Sequence, residues 1–456
     1  MLFRSLEFLR DVLSQPALLI GIMSCVGLIA LKRPFHKIMT GTLKPILGYL
    51  MLAAGAGVIV SNLDPLGKMI EHGFHITGVV PNNEAIVAVA QKVLGVETMS
   101  ILVVGLLMNL LIARFTKFKY VFLTGHHSLF MACLMSAVLG TAGLSGIELI
   151  LVGGFLMGAW SAISPAIGQS YTSKVTDGDE IALGHFGSLG YYLSAWVAKY
   201  VGKAEESTED IEIPEKWGFL RDSTLSTALT MIVFYLIAAI AAGSEFVATL
   251  SGSMSQYLFA VMSAMNFAVG VAIVYSGVRM ILGDLIPAFQ GIATKIIPNA
   301  IPAVDCAVFF TYAPTAVVLG FISSFIGGII GMLILGAVGG VLIIPGLVPH
   351  FFCGATAGIY GNATGGRRGA AVGAFLNGLA ITFLPALALP VLGQLGFQNT
   401  TFGDADFAVM GLVLGNAFEW IGMAGIYGVV VIAALVLIIP NFIKTKGKVI
   451  NYVEEE

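Results

Sequence analysis

The chain has 456 residues, of which 57% are hydrophobic and only 11% charged, with a mean hydropathy of +0.93. A soluble globular protein carries roughly a quarter charged residues, so a water-soluble fold is excluded, and apolar runs that are continuous rather than alternating exclude a porin-type barrel. Lys+Arg 23 against Asp+Glu 26 leaves no basic surplus for a nucleic acid.

The composition points to an all-α polytopic membrane protein, and basic clusters mark its cytoplasmic ends. A first apolar run, about Pro16 to Leu31, ends at Lys32, Arg33 and Lys37, and a second covers about Pro45 to Val60. The following stretch, Ser61 to Glu97, mixes both signs of charge with Gly and Pro and is too apolar for an ordinary loop. A third span, about Thr98 to Ala113, ends in Arg114, Lys117 and Lys119. Spans four and five follow, about Tyr120 to Gly140 and Gly146 to Ile163. Ser164 to Ser223 holds 15 of the 49 charged residues and has the composition of an aqueous segment. Spans six and seven, about Thr224 to Ala242 and Tyr257 to Val278, lead to a second half-polar segment around Arg279, Asp284 and Lys295. Cys306 to Gly366 carries no Asp, Glu, Lys or Arg, enough for two spans broken near Pro345 to Pro349. Arg367-Arg368, a span at Gly369 to Leu392 and a last run at Ala408 to Pro440 complete the pattern.

Eleven spans put every basic cluster in the cytoplasm, with the N-terminus outside and the C-terminus inside. No cleavable signal pattern precedes the first span, so it is expected to be retained. Leu66 to Ile70 and Leu282 to Ile286 share Leu-Gly-x-[Met/Leu]-Ile, each followed by Pro-Asn (Pro81-Asn82, Pro298-Asn299). Paired, Gly/Pro-interrupted segments of this kind mark inverted repeats with re-entrant or broken helices around a midplane site. The expected organisation is a first repeat over 1–163, a cytoplasmic or interfacial segment over 164–223, a second repeat over 224–392, and a last span and tail over 393–456.

Four places could carry chemistry, because an ionisable group inside a membrane is costly unless paired or facing water. Leu123-Thr124-Gly125-His126-His127 opens span four, where the histidines could also be an interfacial pair. Gly184-His185 lies in the aqueous segment, where Phe186, Tyr191, Tyr192 and Trp196 could instead make His185 part of an amphipathic surface helix. Asp305 stands before the charge-free run with no local cation, so its partner must be a distant side chain, backbone donors or a ligand. Asn82-Asn83-Glu84 is the fourth. Glu419-Trp420 is weaker and equally suits a packed interface. Gly354 to Gly358 and Gly361 to Gly366 lack the Lys-Ser/Thr of a phosphate loop and read as close helix packing. Cys25, Cys133, Cys306 and Cys353 lie far apart in apolar stretches and read as small buried hydrophobes, not disulfides or metal ligands; no cofactor is expected.

Several of these stretches together resemble one family. Leu123-Thr124-Gly125-His126, Val175-Thr176-Asp177-Gly178, Gly184-His185, Gly202-Lys203-x-Glu205-Glu206-Ser207, Asp305-Cys306-Ala307, Ala313-Pro314-x-Ala316-Val317-Val318 and Ile343-Ile344-Pro345-Gly346 are similar to the ascorbate-specific permease, component IIC, of the bacterial phosphoenolpyruvate-dependent sugar phosphotransferase system. The resemblance implies an 11-span inner-membrane homodimer that is not an enzyme on its own. It would import a sugar or sugar acid for phosphorylation by a separate IIB protein, supplied by IIA. Its ligand positions match here at His126, His185 and Asp305. A Thr-Tyr pair falls at Asn83-Glu84, and two glutamines fall at Phe130 and Phe186. These changes imply a preference for a less acidic sugar derivative over ascorbate. An ion-coupled secondary transporter, with Asp305 and the histidines as a proton relay, is the competing reading.

Overall fold

The computed structural model describes residues 12, 15–75, 78–79, 81, 83–211, 223–393 and 401–442. Asn82, the charged stretch 212–222 and the lysines beyond residue 442 lie outside these, as do the side chains of 84–95. Thirteen α-helices are described: α1 Pro16–Ala30, α2 Phe35–Gly73, α3 Asn83–Phe115, α4 Gly125–Thr141, α5 Gly146–Thr176, α6 Ser188–Val201, α7 Ser223–Ala242, α8 Ser244–Ser251, α9 Gln256–Lys295, α10 Pro314–Ala337, α11 Leu347–Gly393, α12 Ala405–Ile421 and α13 Met423–Phe442.

Seven helices among the described residues are long and apolar enough to cross a membrane, or eight if α7 and α8, bent by 118°, count as one broken span. Length and composition alone do not confirm the count of eleven, for reasons visible in the backbone. At 1.5 Å per residue, 15-residue α1 and 17-residue α4 reach only about 22–26 Å, short of a hydrocarbon core of about 30 Å. Conversely, α11 fuses two expected segments into one 47-residue element that breaks at Gly365 and Gly366, the latter at φ 59°. Arg367 and Arg368 are exposed just past that break. The final apolar run divides at Gly422 into α12 and α13. The mixed-charge stretch after span two is helical up to Gly73, because α2 continues through Pro45 and Pro65; prolines are tolerated in membrane helices where neighbours satisfy the freed carbonyls.

Two packing styles build the interior. α2 and α9 cross at paired glycines: a Cβ on Gly48 would meet the Gly277 carbonyl oxygen at 2.8 Å and one on Gly277 would meet that of Gly48 at 2.6 Å. Gly55 and Gly270 repeat the relation at 2.7 and 2.9 Å. The descending register makes the two helices antiparallel, in backbone-to-backbone contact of the small-residue kind. Lys44 and Asp284 add an ion pair at 3.5 Å between them. The second style is aromatic and branched: α3, α4, α5, α12 and α13 bury Phe118, Phe122, Phe130, Phe186, Phe402 and Phe407 in one cluster.

Three very short strands form the only sheet among the described residues. β1 (Tyr120–Phe122), β2 (Ala182–Leu183) and β3 (Ile301–Val304) run parallel in the order β1-β3-β2, with Phe122 opposite Ala303 and Leu183 opposite Val304. Non-helical backbone inside a membrane protein needs its polar groups satisfied by protein. Here buried amide side chains do this. Asn109 of α3 donates to the Tyr120 carbonyl at 3.1 Å and accepts from the Phe122 N–H at 3.0 Å, and Gln169 of α5 donates to the Ile181 carbonyl at 3.1 Å. At the end of α3, Lys119 donates to the carbonyls of Ala113 and Arg114. Burial first, and then the nearby Arg114, lower its pKa from the usual lysine value.

Candidate functional site

Each strand ends at a residue singled out from sequence. β1 leads through Thr124 into the first turn of α4 and His126; β2 leads through Gly184 to His185; β3 leads directly to Asp305, which caps a 3-10 turn at Cys306–Thr311. The strand pairing extends one residue further on each side, by Leu123 N–H to the Ala303 carbonyl at 2.9 Å and Gly184 N–H to the Val304 carbonyl at 2.7 Å. This fixes the three residues along one edge. Gly184 is required there, since a Cβ would meet the Ala303 carbonyl oxygen at 2.4 Å. The carboxyl edge of a parallel sheet, where helices begin, is where α/β proteins place ligands.

At that edge His126 Nε2 lies 3.4 Å from Asp305 Oδ2, and Asp305 Oδ1 accepts the Ala307 N–H at 3.1 Å. The carboxylate without a local cation thus has a distant imidazole and one backbone donor. The His126 side chain is 38% exposed and that of Asp305 is 10% exposed, so His126 is the accessible member. His185 is buried, not on a surface helix: its ring centroid lies 3.7 Å from that of His127, which lies 4.7 Å from that of His126. α6, the helix that follows, packs against α11.

The histidine tautomers follow from their partners. His185 Nδ1 accepts the Gly187 N–H at 3.1 Å, and His127 Nδ1 accepts the Phe186 N–H at 3.3 Å. An imidazole nitrogen that accepts a backbone N–H carries no proton, so both rings are neutral Nε2–H donors. The approach of Asp404 Oδ1 to His185 Nδ1 at 3.9 Å is therefore a contact of two acceptors, not an ion pair. Tyr191, whose hydroxyl is 2.9 Å from the same nitrogen, supplies a further donor.

Sequence reasoning missed three participants. Tyr49 of α2 places its hydroxyl 3.1 Å from His126 Nδ1. Asp404 accepts from Asn83 Nδ2 at 2.5 Å and Cys353 Sγ at 2.9 Å, while the Gly403 N–H donates to Asn83 Oδ1 at 2.9 Å. Asn83 thus pins the start of α3 to the approach to α12. Asp406 is fully buried and accepts from Trp160 Nε1, Ser188 Oγ and the Leu189 N–H at 3.2, 2.7 and 2.9 Å. The signal for Asp404 and Asp406 was present: two carboxylates head an apolar run, as Asp305 does. Phe186 is buried, stacked on Phe122 with centroids 4.6 Å apart, and Phe130 is 8% exposed, its ring 5.8 Å from that of His126. The Glu84 side chain lies outside the described residues. Glu419 and Trp420 are exposed on α12.

Two groups, His127 with His185 and Asp404, and His185 with Asp305 and Cys306, bring potential metal-ligand atoms within 4.8 Å of one another. The Nδ1 atoms of both rings and the Asp404 oxygens already hold hydrogen-bond donors, so the donor set fits a closed polar network better than a coordination sphere.

Residues 11–406 match the EIIC-GAT family, the PTS system sugar-specific permease component. The chain belongs to this family. The family model describes a sugar-specific permease component, and the seven or eight apolar helices long enough to cross a membrane among the described residues fit a multi-pass membrane protein. The chain is also similar to the ascorbate-specific PTS system EIIC component of Mycoplasma pneumoniae, at 26% identity over 417 residues, covering 78% of this chain and 62% of the relative. The chain thus spans less than two thirds of that relative's length.

Proposed function

We propose that the chain is an ascorbate-type IIC permease, which takes up a sugar or sugar acid and presents it to a separate phosphorylated IIB protein supplied by IIA. The observation that carries the reading is the delivery of His126, His185 and Asp305 to one edge by three parallel strand ends. The resemblance to the ascorbate permeases implies ligand residues at these same positions. The chemistry suits a hydroxyl-rich ligand: Asp305 accepts from hydroxyls, and the neutral imidazoles donate through Nε2–H. Thr124, at the head of α4, is buried, with its hydroxyl unpartnered among the described residues, a further donor for an enol or carboxylate oxygen of the ligand. Nothing observed favours an ion-coupled mechanism.

The reading includes a homodimer, two inverted repeats related across the α2 and α9 glycine contact, and a cytoplasmic C-terminus. Purified protein in liposomes, loaded with phosphorylated IIB, should accumulate labelled ascorbate as its phosphate ester, and a neutral polyol should compete weakly or strongly according to the Phe130 and Phe186 changes. Equal accumulation without IIB would overturn the group-translocation reading. A cysteine beside Arg367 should react with an impermeant reagent from the cytoplasmic side alone; labelling from outside would reverse the orientation.

A further inference from the structure

His126 is the exposed member of the site, and a ring in an open position needs something to fix its orientation. Its two nitrogens have different partners, Tyr49 Oη at 3.1 Å on Nδ1 and Asp305 Oδ2 at 3.4 Å on Nε2. A carboxylate is an acceptor only, so a favourable contact requires the proton on Nε2. In the neutral ring Nδ1 then has a lone pair, and Tyr49 is the donor. The sequence of bonds is Tyr49 O–H to Nδ1, Nε2–H to Asp305 Oδ2, and Ala307 N–H to Asp305 Oδ1. Without the phenol the ring could flip or turn its lone pair toward Asp305.

Tyr49 comes from a different part of the molecule. It neighbours Gly48, whose backbone touches that of Gly277, and it is 7% exposed. In a backbone-to-backbone crossing no side chain can repack to absorb a shift, so the height of Tyr49 along α2 is fixed by the α2–α9 pair. His126, in contrast, is placed by the sheet and α4. We propose that Tyr49 is a positioning residue of the transport site, holding His126 in the Nε2–H tautomer that faces Asp305 and tying the site to the glycine-packed helix pair. This inference rests on the reading of His126 as a ligand of the transported molecule. Tyr49 acts through His126 and needs no contact with the substrate.

The test has two parts. In the native protein labelled with 15N at histidine, and with the His126→Gln variant used to assign the signal, His126 must show an unprotonated Nδ1 and a protonated Nε2. The opposite tautomer overturns the proposal whatever the substrate. Second, equilibrium binding of L-ascorbate to detergent-purified protein should weaken by about 3- to 10-fold in Tyr49→Phe, the loss of one hydrogen bond, whereas in the His126→Gln background the same change should alter affinity by less than about twofold. Undiminished binding by Tyr49→Phe, or a full loss that persists without His126, would show that Tyr49 works elsewhere. Failure of the native protein to bind ascorbate would instead sink the proposed substrate, and the tautomer measurement would still decide the role of Tyr49.

Discussion

The end of β3 and the head of α12 each hold a buried carboxylate, and they are built differently. Asp406 has no exposure and receives three donors, from Trp160, Ser188 and the Leu189 N–H. Asp305 keeps a little exposure and receives one backbone donor and a histidine at the long distance of 3.4 Å. A carboxylate has about four lone-pair positions, so Asp406 is close to saturated and Asp305 is not. Saturation marks a group that holds α5, α6 and α12 together; unused acceptor capacity at an accessible edge marks a group that waits for a ligand.

The largest expected effect breaks the saturated region. Asp406→Ala leaves the fully buried Ser188 hydroxyl and the part-buried Trp160 and Leu189 N–H groups without their acceptor, at about 1–3 kcal/mol for a buried donor, so unfolding stability in detergent should fall by about 3 kcal/mol. Asp305→Ala should lower it by less than about 1 kcal/mol while abolishing uptake. Equal losses of stability in the two variants would erase the distinction. The subtler Asp305→Asn keeps size and removes charge; ascorbate affinity should fall by roughly 1.5–3 kcal/mol, about tenfold to a hundredfold, by the strength of hydrogen bonds to charged groups, with the unfolding transition unmoved.

A related contrast tests the platform that carries Tyr49. Gly277→Val drives side-chain atoms into the Gly48 carbonyl and should destabilise by about 1–3 kcal/mol. Gly57→Ala, on the same α2 but with open space around its Cβ position, should be neutral or gain up to about 1 kcal/mol from helix propensity. Thermal unfolding of the two variants side by side is sufficient, and comparable losses would remove the argument that the glycine crossing fixes α2.

The same difference between saturated and open groups explains what was legible in the sequence. Asp305 stood out because it is a single charge before 61 uncharged residues, and His185 as an ionisable residue beside Gly184, although its aromatic neighbours equally suited a surface helix. Tyr49 could not stand out: a tyrosine in an apolar helix resembles any core or interfacial tyrosine, and its importance comes from a partner 77 residues away. Asp404 and Asp406 did not stand out because they adjoin a polar stretch, although their partners include the cysteine, asparagine and tryptophan of three other helices. Span boundaries were less legible than span content, because hydropathy treats each charge or Gly/Pro interruption as a boundary, while the backbone runs helical through Pro45 and Pro65 and breaks at Gly422.

The smallest expected effect lies at the border between the two kinds of surroundings. Phe186 belongs wholly to the packed side: it is fully buried, stacked on Phe122 and set edge-on to Phe407 with centroids 5.7 Å apart. A glutamine there would bury an amide among rings, so Phe186→Gln should lower stability by about 1–3 kcal/mol without improving ligand binding. Phe130 is at the margin, 8% exposed and edge-on to His126. Phe130→Gln places a donor and an acceptor next to the accessible imidazole, and one new hydrogen bond is worth about 0.5–1.5 kcal/mol. Ascorbate should therefore bind about 2- to 10-fold more tightly to Phe130→Gln than to the native protein, while a neutral polyol that packs its C–H face on the ring should bind more weakly. A competition series in vesicles reads both. If both ligands move in the same direction, Phe130 acts as packing like Phe186, and the substrate preference of this permease has to be sought in the Asn83 and Glu84 segment instead.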